Sequence, residues 1–377
     1  MVTADKRPLG IFTMRDLLRT VVSPGSLLDG PIGKAMTPSP LTLPITALGY
    51  EAALVLAEHG FHHIILVDGV RLAGVVTEQD LFNLQRVSLS QINAEIRSAD
   101  SLNWLKRCSG DIQLLAENML VQGVTPDQIT QIISTLNDQV VCRALDLELV
   151  GKNFTGIKIA WIALGSEGRF ERTFSTDQDN GLIFEAPESV PADDVRKRLL
   201  PVADRMNRAL DMVGFPLCRG NIMASKPACC LSFAEWQKKF SNWILEPGAE
   251  ALLNATIFFD FRHLYGDADL TDRLRLWLAG ATAGQKRFFH LMAENALERT
   301  PPLGFFRDFV VDDHEEHPHT IDIKLNGVTL FVDAARIYAL ATGITRANTK
   351  QRLMMAGDAR KWPPSEVNAW ADAFSFL

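Results

Sequence analysis

Apolar positions along the chain change their period several times, and each change marks a different kind of element. Between residues 90 and 150, Ile92, Ile96, Leu102 and Leu105 recur at helical spacing. In the same stretch Thr125-Pro-Asp-Gln128 reads as a helix start, with Thr at the N-cap and Pro at the first helical position. The unbroken run Ile157 to Leu164 predicts a buried strand. Nearer the N-terminus, Leu48, Ala52, Val55 and Leu56 predict a helix over Ala47–His59. Ile64–Val67 and Leu72–Val76, parted by Asp68-Gly69, then predict two strands joined by a turn. Beyond residue 231, Trp236, Phe240, Trp243 and the stretch Leu270–Leu278 form a stripe at helical spacing that reads as core. Ala249–Leu264 reads as an amphipathic helix, Thr320–Leu325 as an alternating strand and Val332–Leu340 as a helix.

A length of 377 residues suggests two or three domains, at about 100–200 residues each. A composition of 47% hydrophobic and 22% charged residues supports packed cores and excludes wholesale disorder. The net charge of -7 argues against a surface that coats nucleic acid, which needs basic excess, so no nucleic-acid partner is expected. Five Cys, at 108, 142, 218, 229 and 230, include no C-x-x-C pair, which speaks against a zinc ribbon or a disulfide framework. The first ten residues carry no apolar leader, and no apolar stretch approaches the roughly 20 residues of a membrane span. A soluble, cytoplasmic protein without a membrane partner is expected.

Two segments resemble each other: Gly10-Ile-Phe-Thr-Met-Arg-Asp16-Leu-Leu and Gly74-Val-Val-Thr-Glu-Gln-Asp80-Leu-Phe. Each reads as a strand running into a helix, with Thr13 or Thr77 at the N-cap and Asp16 or Asp80 in the first turn, where a carboxylate suits the helix dipole. With the intervening helix and paired strands, this order resembles a CBS domain. One complete unit covers residues 34 to about 86, and only the tail of a preceding unit covers 8 to about 20. Paired CBS units bind adenine nucleotides in many members, so the resemblance implies Thr13, Asp16, Thr77 and Asp80 as candidate contacts. Capping alone explains the same residue types, and both readings stand at this point.

The most informative stretch follows the strand ending at Leu164. Gly165-Ser166 opens a helix, placing small residues and backbone N–H groups where phosphate is well received. Ten residues separate Ser166 from Asp177-Gln-Asp179-Asn180, read as the start of the next strand, with both carboxylates on one face. Paired carboxylates repel each other unless a cation joins them, and hard oxygen ligands favour Mg²⁺ or Mn²⁺. Such a site holds a triphosphate for nucleotidyl transfer. Arg169 and Glu171 are placed inside the helix after the turn; Arg169 could reach a phosphate bidentately, while Glu171 could tie the helix to the sheet. A solvated helix charge is the alternative for each.

Gly-Ser, ten residues, then Asp-x-Asp is similar to the nucleotidyltransferase superfamily that includes DNA polymerase beta. The fuller string from Gly165 to Asn180 resembles the nucleotidyltransferases fused to CBS domains in bacterial signal-transduction proteins, relatives of protein-PII uridylyltransferase. The resemblance implies catalytic and metal-binding roles for Asp177 and Asp179, and nucleotide contacts at Gly165, Ser166, Arg169, Thr176 and Asn180. The superfamily usually has a third acid on a neighbouring strand. In the corresponding segment, Gly214–Ala224, no carboxylate occurs and Cys218 stands roughly in its place. Asp260 is an alternative acid, read as supporting Arg262 instead. Asp312–His319 reads as a solvated loop rather than a metal site.

The expected architecture is α/β plus all-α. Residues 1–88 form a partial CBS pair, 89–230 a helical connector and a nucleotidyltransferase domain with a mixed sheet, and 231–377 a helical domain that resembles the family's substrate-binding domain. The expected activity is metal-dependent transfer of UMP or AMP from a nucleoside triphosphate to an acceptor, a protein side chain above others, regulated through the CBS segment. The rival reading is a regulatory protein that senses nucleotide without turnover. A homodimer is compatible with either.

Overall fold

The computed structural model describes residues 2–22, 30–47, 49–77, 80, 89–152, 154–173, 177–299 and 319–377. The chain divides into two compact units, Met1–Leu89 and Ser90–Leu377.

In the first unit, strands β1 (Val2–Ala4) and β2 (Arg7–Ile11) form an antiparallel hairpin, and β3 (Thr37–Pro38) adds to β2. Asp5 and Lys6 both take positive φ at its turn, a conformation that short turns between twisted strands require. A second sheet pairs β4 (Thr42–Pro44) in parallel with β5 (His63–Asp68), and β5 in antiparallel with β6 (Arg71–Thr77). The helix Gly49–His59 lays Ala52 and Leu56 on Ile64 of this sheet. The repeat seen at Gly10 and Gly74 thus extends further upstream than the sequence pattern showed, because each Thr-Asp segment follows a hairpin.

The second unit opens with helices Leu89–Ser98, Leu102–Val121 and Pro126–Leu149. Its sheet has the order β10-β7-β8-β9, built from β7 (Lys158–Ala163), β8 (Asn180–Glu185), β9 (Cys230–Ser232) and β10 (Arg262–Gly266). The β8–β9 pair is parallel and the other two antiparallel, so the sheet is mixed. Alternation along β7 sorts its side chains. Ala160, Ile162 and Leu164 enter a core with Trp236, Phe240, Phe258, Phe259 and Phe261, while Trp161 meets Leu199, Val202 and Met206 of the helix Ala192–Val213 on the other face. The aromatic stripe is core: Trp236 and Phe240 are fully buried, and the Trp236 indole donates to the Leu182 carbonyl. Helices Ala268–Thr282, Lys286–Leu297, Thr329–Ala341, Thr349–Arg360 and Pro364–Phe376 complete the unit. The whole is mixed α/β with a helical C-terminal part, as the sequence pattern indicated.

Three local expectations differ from the structure. The helix expected over 249–264 stops at Phe258, and the chain returns as β10 because Phe259, Asp260 and Phe261 are all buried and cannot occupy one helical face. Thr320–Leu325 is not a strand; Asp322 accepts the Leu325 amide through its side chain and the Asn326 amide through its carbonyl, which starts a π-helical turn at Lys324–Val328. The helix after Gly165 is a single turn, Gly165–Gly168, so Arg169 and Glu171 lie beyond it. Among the described residues no helix is long and apolar enough to cross a membrane. Apart from His319, the loop at 312–319 lies outside the described residues.

Candidate functional site

Strand register places the site. Ala163, at the end of β7, is paired with Asn180 on one side and with Arg262 on the other. The residues just ahead of those partners, Asp179 and Asp260, therefore flank the turn that leaves β7 at Gly165. Gly165 has φ +57°, and a Cβ there would stand 3.3 Å from Asp179 Oδ2. On the other side, a Cβ on Gly168 would stand 1.9 Å from the Asp260 carbonyl oxygen. Only glycine lets this turn fit between the two aspartates.

Asp177 and Asp179 precede β8 rather than lying within it, yet the alternation expected of a strand holds. Gln178 and Asn180 point into a buried polar network: the Gln178 amide donates to the Asn207 and Phe215 carbonyls at 2.9 and 2.7 Å, and Asn180 Oδ1 accepts from Asn207 Nδ2 and the Ala224 amide. Main-chain bonds from Gln178 to Pro216 and from Asn180 to Ile222 fasten the segment to the 214–224 loop. Asp177 and Asp179, both half-buried, take the alternate positions. Burial pushes the Asp179 carboxyl above the ordinary range and the Asp177 charge adds to this; the Cys218 thiol donating to it, Arg172 and Lys324 act in the opposite sense. Cys218 is itself raised, first by burial and then by Asp179. The position expected for a third acid is thus occupied by a thiol in contact with Asp179.

The backbone N–H groups of Gly165, Ser166 and Glu167 make no main-chain hydrogen bond among the described residues, as in any first helical turn. Arg169 and Asn180, expected at the nucleotide, are engaged elsewhere. Arg169 donates to Glu171 at 2.6 Å and to Asp260 at 2.8 Å, with its side chain 11% exposed. Asn180 is committed to the buried network. Thr176 lies outside the described residues.

Asp260 was expected to support Arg262, but Arg262 is held by Asp138 at 2.6 Å and donates to the Glu167 carbonyl, with its guanidinium over the Phe170 ring. Asp260, 0% exposed, receives four hydrogen bonds from three arginines. Arg336 Nε and Nη2 donate at 3.0 and 2.6 Å, Arg352 Nη1 at 2.6 Å and Arg169 Nη1 at 2.8 Å. A carboxylate has about four lone-pair sites, so its acceptor capacity is filled. Burial alone would raise this group; Arg336, Arg352 and Arg169 outweigh it and hold Asp260 far below the carboxylate range. Pattern reading did not find this hub, although a lone carboxylate inside Ile257–Phe261 and an Arg on the Val332, Ala335, Ala339 face both signal buried charge.

Thr13 and Asp16 are bonded to each other, the Thr13 amide and hydroxyl both donating to Asp16 Oδ2 at 2.9 Å. Thr37 and Arg19 reach the other oxygen. Thr77 and Asp80 repeat the pattern at 2.9 and 2.7 Å, and the Asp80 amide donates back to the Thr77 hydroxyl. The first pair closes the start of the helix Met14–Val22, and the second repeats its bonds.

An Asp-x-Asp pair against unbonded turn amides suits hard cations and phosphate. Among the described residues no cluster of three or more His, Cys, Asp or Glu forms a metal cage. Two carboxylates nevertheless fit Mg²⁺, which commonly takes one or two from protein and the rest from phosphate and water. A cation there would offset both the burial that raises Asp179 and the Asp177 charge that adds to it.

Comparison with known families gives three matches. Residues 110–250 match the family described as Putative nucleotidyltransferase DUF294, residues 286–377 the Putative nucleotidyltransferase substrate binding domain, and residues 32–86 the CBS domain. A search of curated proteins finds no match.

Proposed function

We propose that this chain, which carries a DUF294-family nucleotidyltransferase domain, its substrate-binding domain and a CBS domain, transfers a nucleoside monophosphate, UMP or AMP, from the triphosphate to a protein side chain. UMP follows the resemblance to protein-PII uridylyltransferase. The observation that supports the reading is Asp179 seated against the Gly165 turn, with Asp177 close enough to raise it. Gly165, Ser166 and Glu167 amides receive phosphate oxygens, and Asp177 and Asp179 hold Mg²⁺ or Mn²⁺. Bound there, the cation would neutralise charge developing on the phosphates. The acceptor oxygen attacks the α-phosphorus, its bond to the bridging oxygen breaks, pyrophosphate leaves and the acceptor proton passes to solvent. Cys218, kept protonated by burial and donating to Asp179, is no base for that proton. The N-terminal unit regulates the reaction by taking an adenine nucleotide at Thr13, Asp16, Thr77 and Asp80.

The thiol where an acid is usual favours a second reading, nucleotide sensing without turnover. Pyrophosphate release from UTP or ATP in the presence of candidate acceptor proteins, measured with and without Mg²⁺ in the wild type, Asp177→Asn and Asp179→Asn, separates the two. Transfer requires Mg²⁺-dependent release that both variants lose. Tight triphosphate binding with no release supports sensing, and release unchanged in both variants sinks the site assignment.

A further inference from the structure

The string that begins at Gly165 divides at Gly168. Its first part faces Asp179; its second part, Arg169 and Glu171, is built into the helical C-terminal region. Glu171 Oε2 accepts from Arg169, while Oε1 accepts the Thr349 amide at 2.6 Å and the Asn348 side chain at 3.3 Å. Thr349 is the first residue of the 12-residue helix Thr349–Arg360, so a carboxylate from the transferase domain sits on the N-terminus of a helix in the substrate-binding domain. Asn348 also donates to the Arg169 carbonyl at 3.2 Å. Asp260 repeats the arrangement one layer deeper, joining Arg169 at the turn to Arg336 on helix Thr329–Ala341 and Arg352 on helix Thr349–Arg360. Arg336 is further held by Asp333, which also pairs with Arg299.

These bonds converge on five residues of main chain. Arg169 caps the turn helix, its amide bonded to the Gly165 and Ser166 carbonyls, and the Glu171 amide donates to Ser166. Phe170 between them takes φ +60°, a conformation that aims both neighbours inward. Any displacement of the two C-terminal helices is therefore felt at the peptide units that carry the Ser166 and Glu167 amides, and hence in the placement of the turn against Asp179.

We propose that Glu171 and Asp260 are positioning residues, two buried carboxylates that seat the substrate-binding helices on the phosphate turn so that acceptor and triphosphate meet in register. The inference rests on the nucleotidyl-transfer reading of the turn. Neither carboxylate touches the triphosphate; each acts through Arg169 and the turn. The extended motif then couples domains with its second half.

The test uses the full chain carrying Glu171→Gln, which keeps shape and one acceptor while removing the charge, and Glu171→Asp, which keeps the charge on a shorter arm. Asp260→Asn is included but can fail to fold. For each soluble protein, pyrophosphate release from Mg²⁺ and UTP or ATP in the presence of candidate acceptor proteins is measured well below its melting temperature. In parallel, amide exchange is followed with and without a non-hydrolysable triphosphate. Positioning predicts a kcat lowered by about tenfold or more in Glu171→Gln with KM for the triphosphate nearly unchanged, since small misplacements of reacting groups cost rates of that order. Glu171→Asp should fall between it and the wild type. It also predicts that triphosphate slows exchange at both Gly165–Gly168 and Thr349–Arg360 in the wild type, but only at the former in Glu171→Gln. A variant with lowered melting temperature yet wild-type kcat, and with ligand protection still reaching Thr349–Arg360, overturns the inference and leaves a merely structural contact. A wild type that binds no triphosphate instead refutes the underlying reading, and the inference falls with it.

Discussion

Asp179 and Asp260 occupy matching places on either side of one turn, each a residue or two ahead of a strand paired with Ala163, and their environments are opposite. Asp179 is half-buried, has another carboxylate for a neighbour and is raised. Asp260 is sealed, has three guanidinium partners and is lowered. A charge left under-compensated next to solvent is suited to receive a ligand, whereas one compensated in full is suited to hold parts together. One sheet edge thus serves both purposes through what surrounds each carboxylate.

The comparison breaks most sharply under neutralisation. Asp260→Asn leaves three guanidiniums around an uncharged group and should cost about 3–5 kcal/mol of stability, the usual scale for removing one partner of a buried ion pair. Asp179→Asn should leave the urea midpoint unchanged or slightly higher, since it removes a repelled charge. A larger loss at Asp179 than at Asp260 would invert the assignment.

Gly165→Val should weaken triphosphate binding by tenfold or more, about 1.4 kcal/mol, because the left-handed backbone disfavours a branched side chain and the new Cβ crowds Asp179. Ser166→Ala should do less. Titration calorimetry with a non-hydrolysable triphosphate measures both.

The next expectation concerns pH. Asp179 is raised in the folded state, so the native protein binds the extra proton, and its contribution to stability declines as pH rises from the ordinary value of 3.8 through the raised one. Cation binding needs the carboxylate, so Mg²⁺-induced stabilisation should disappear on acidification at a pH above the ordinary aspartate range. Cys218→Ala removes a hydrogen bond that lowers Asp179 and should move that limit upward in a melting assay. Movement downward would exclude the thiol contact.

Smallest is the effect at the N-terminal caps. Thr77→Ala should cost about 1 kcal/mol, a cap's worth. If the CBS segment takes adenine nucleotide, the melting shift given by AMP or ATP in an Asp177→Asn background should vanish in Asp80→Ala. The absence of any such shift in the parent leaves Thr77 and Asp80 as caps alone.

Sequence pattern reached the elements whose cause is local. The run Ile157–Leu164 became β7, Pro126 opened its helix, and the Gly165-Ser166 turn stands where the change from apolar run to small residues put it. Asp177 and Asp179 were legible because the period of two survives even ahead of the strand. Arg169, Asn180 and Asp260 were not, since their partners lie 91 residues away for Arg169 and Asp260 and 27 for Asn180 and Asn207. Side-chain type shows that such a group needs a partner, but not which one. The 320–325 segment alternates like a strand, and a single capping bond from Asp322 decides otherwise.

The filled acceptor capacity of Asp260 has a consequence for unfolding. Because one carboxylate serves arginines from the turn and from two C-terminal helices, no member can leave without stranding the others in a dry interior. The α/β sheet and the helices 329–360 are therefore tied into one cooperative unit. Calorimetry should show them melting in a single transition, and double-mutant cycles between Arg169 and Arg352 should be strongly non-additive, although their guanidiniums are joined through Asp260 rather than to each other.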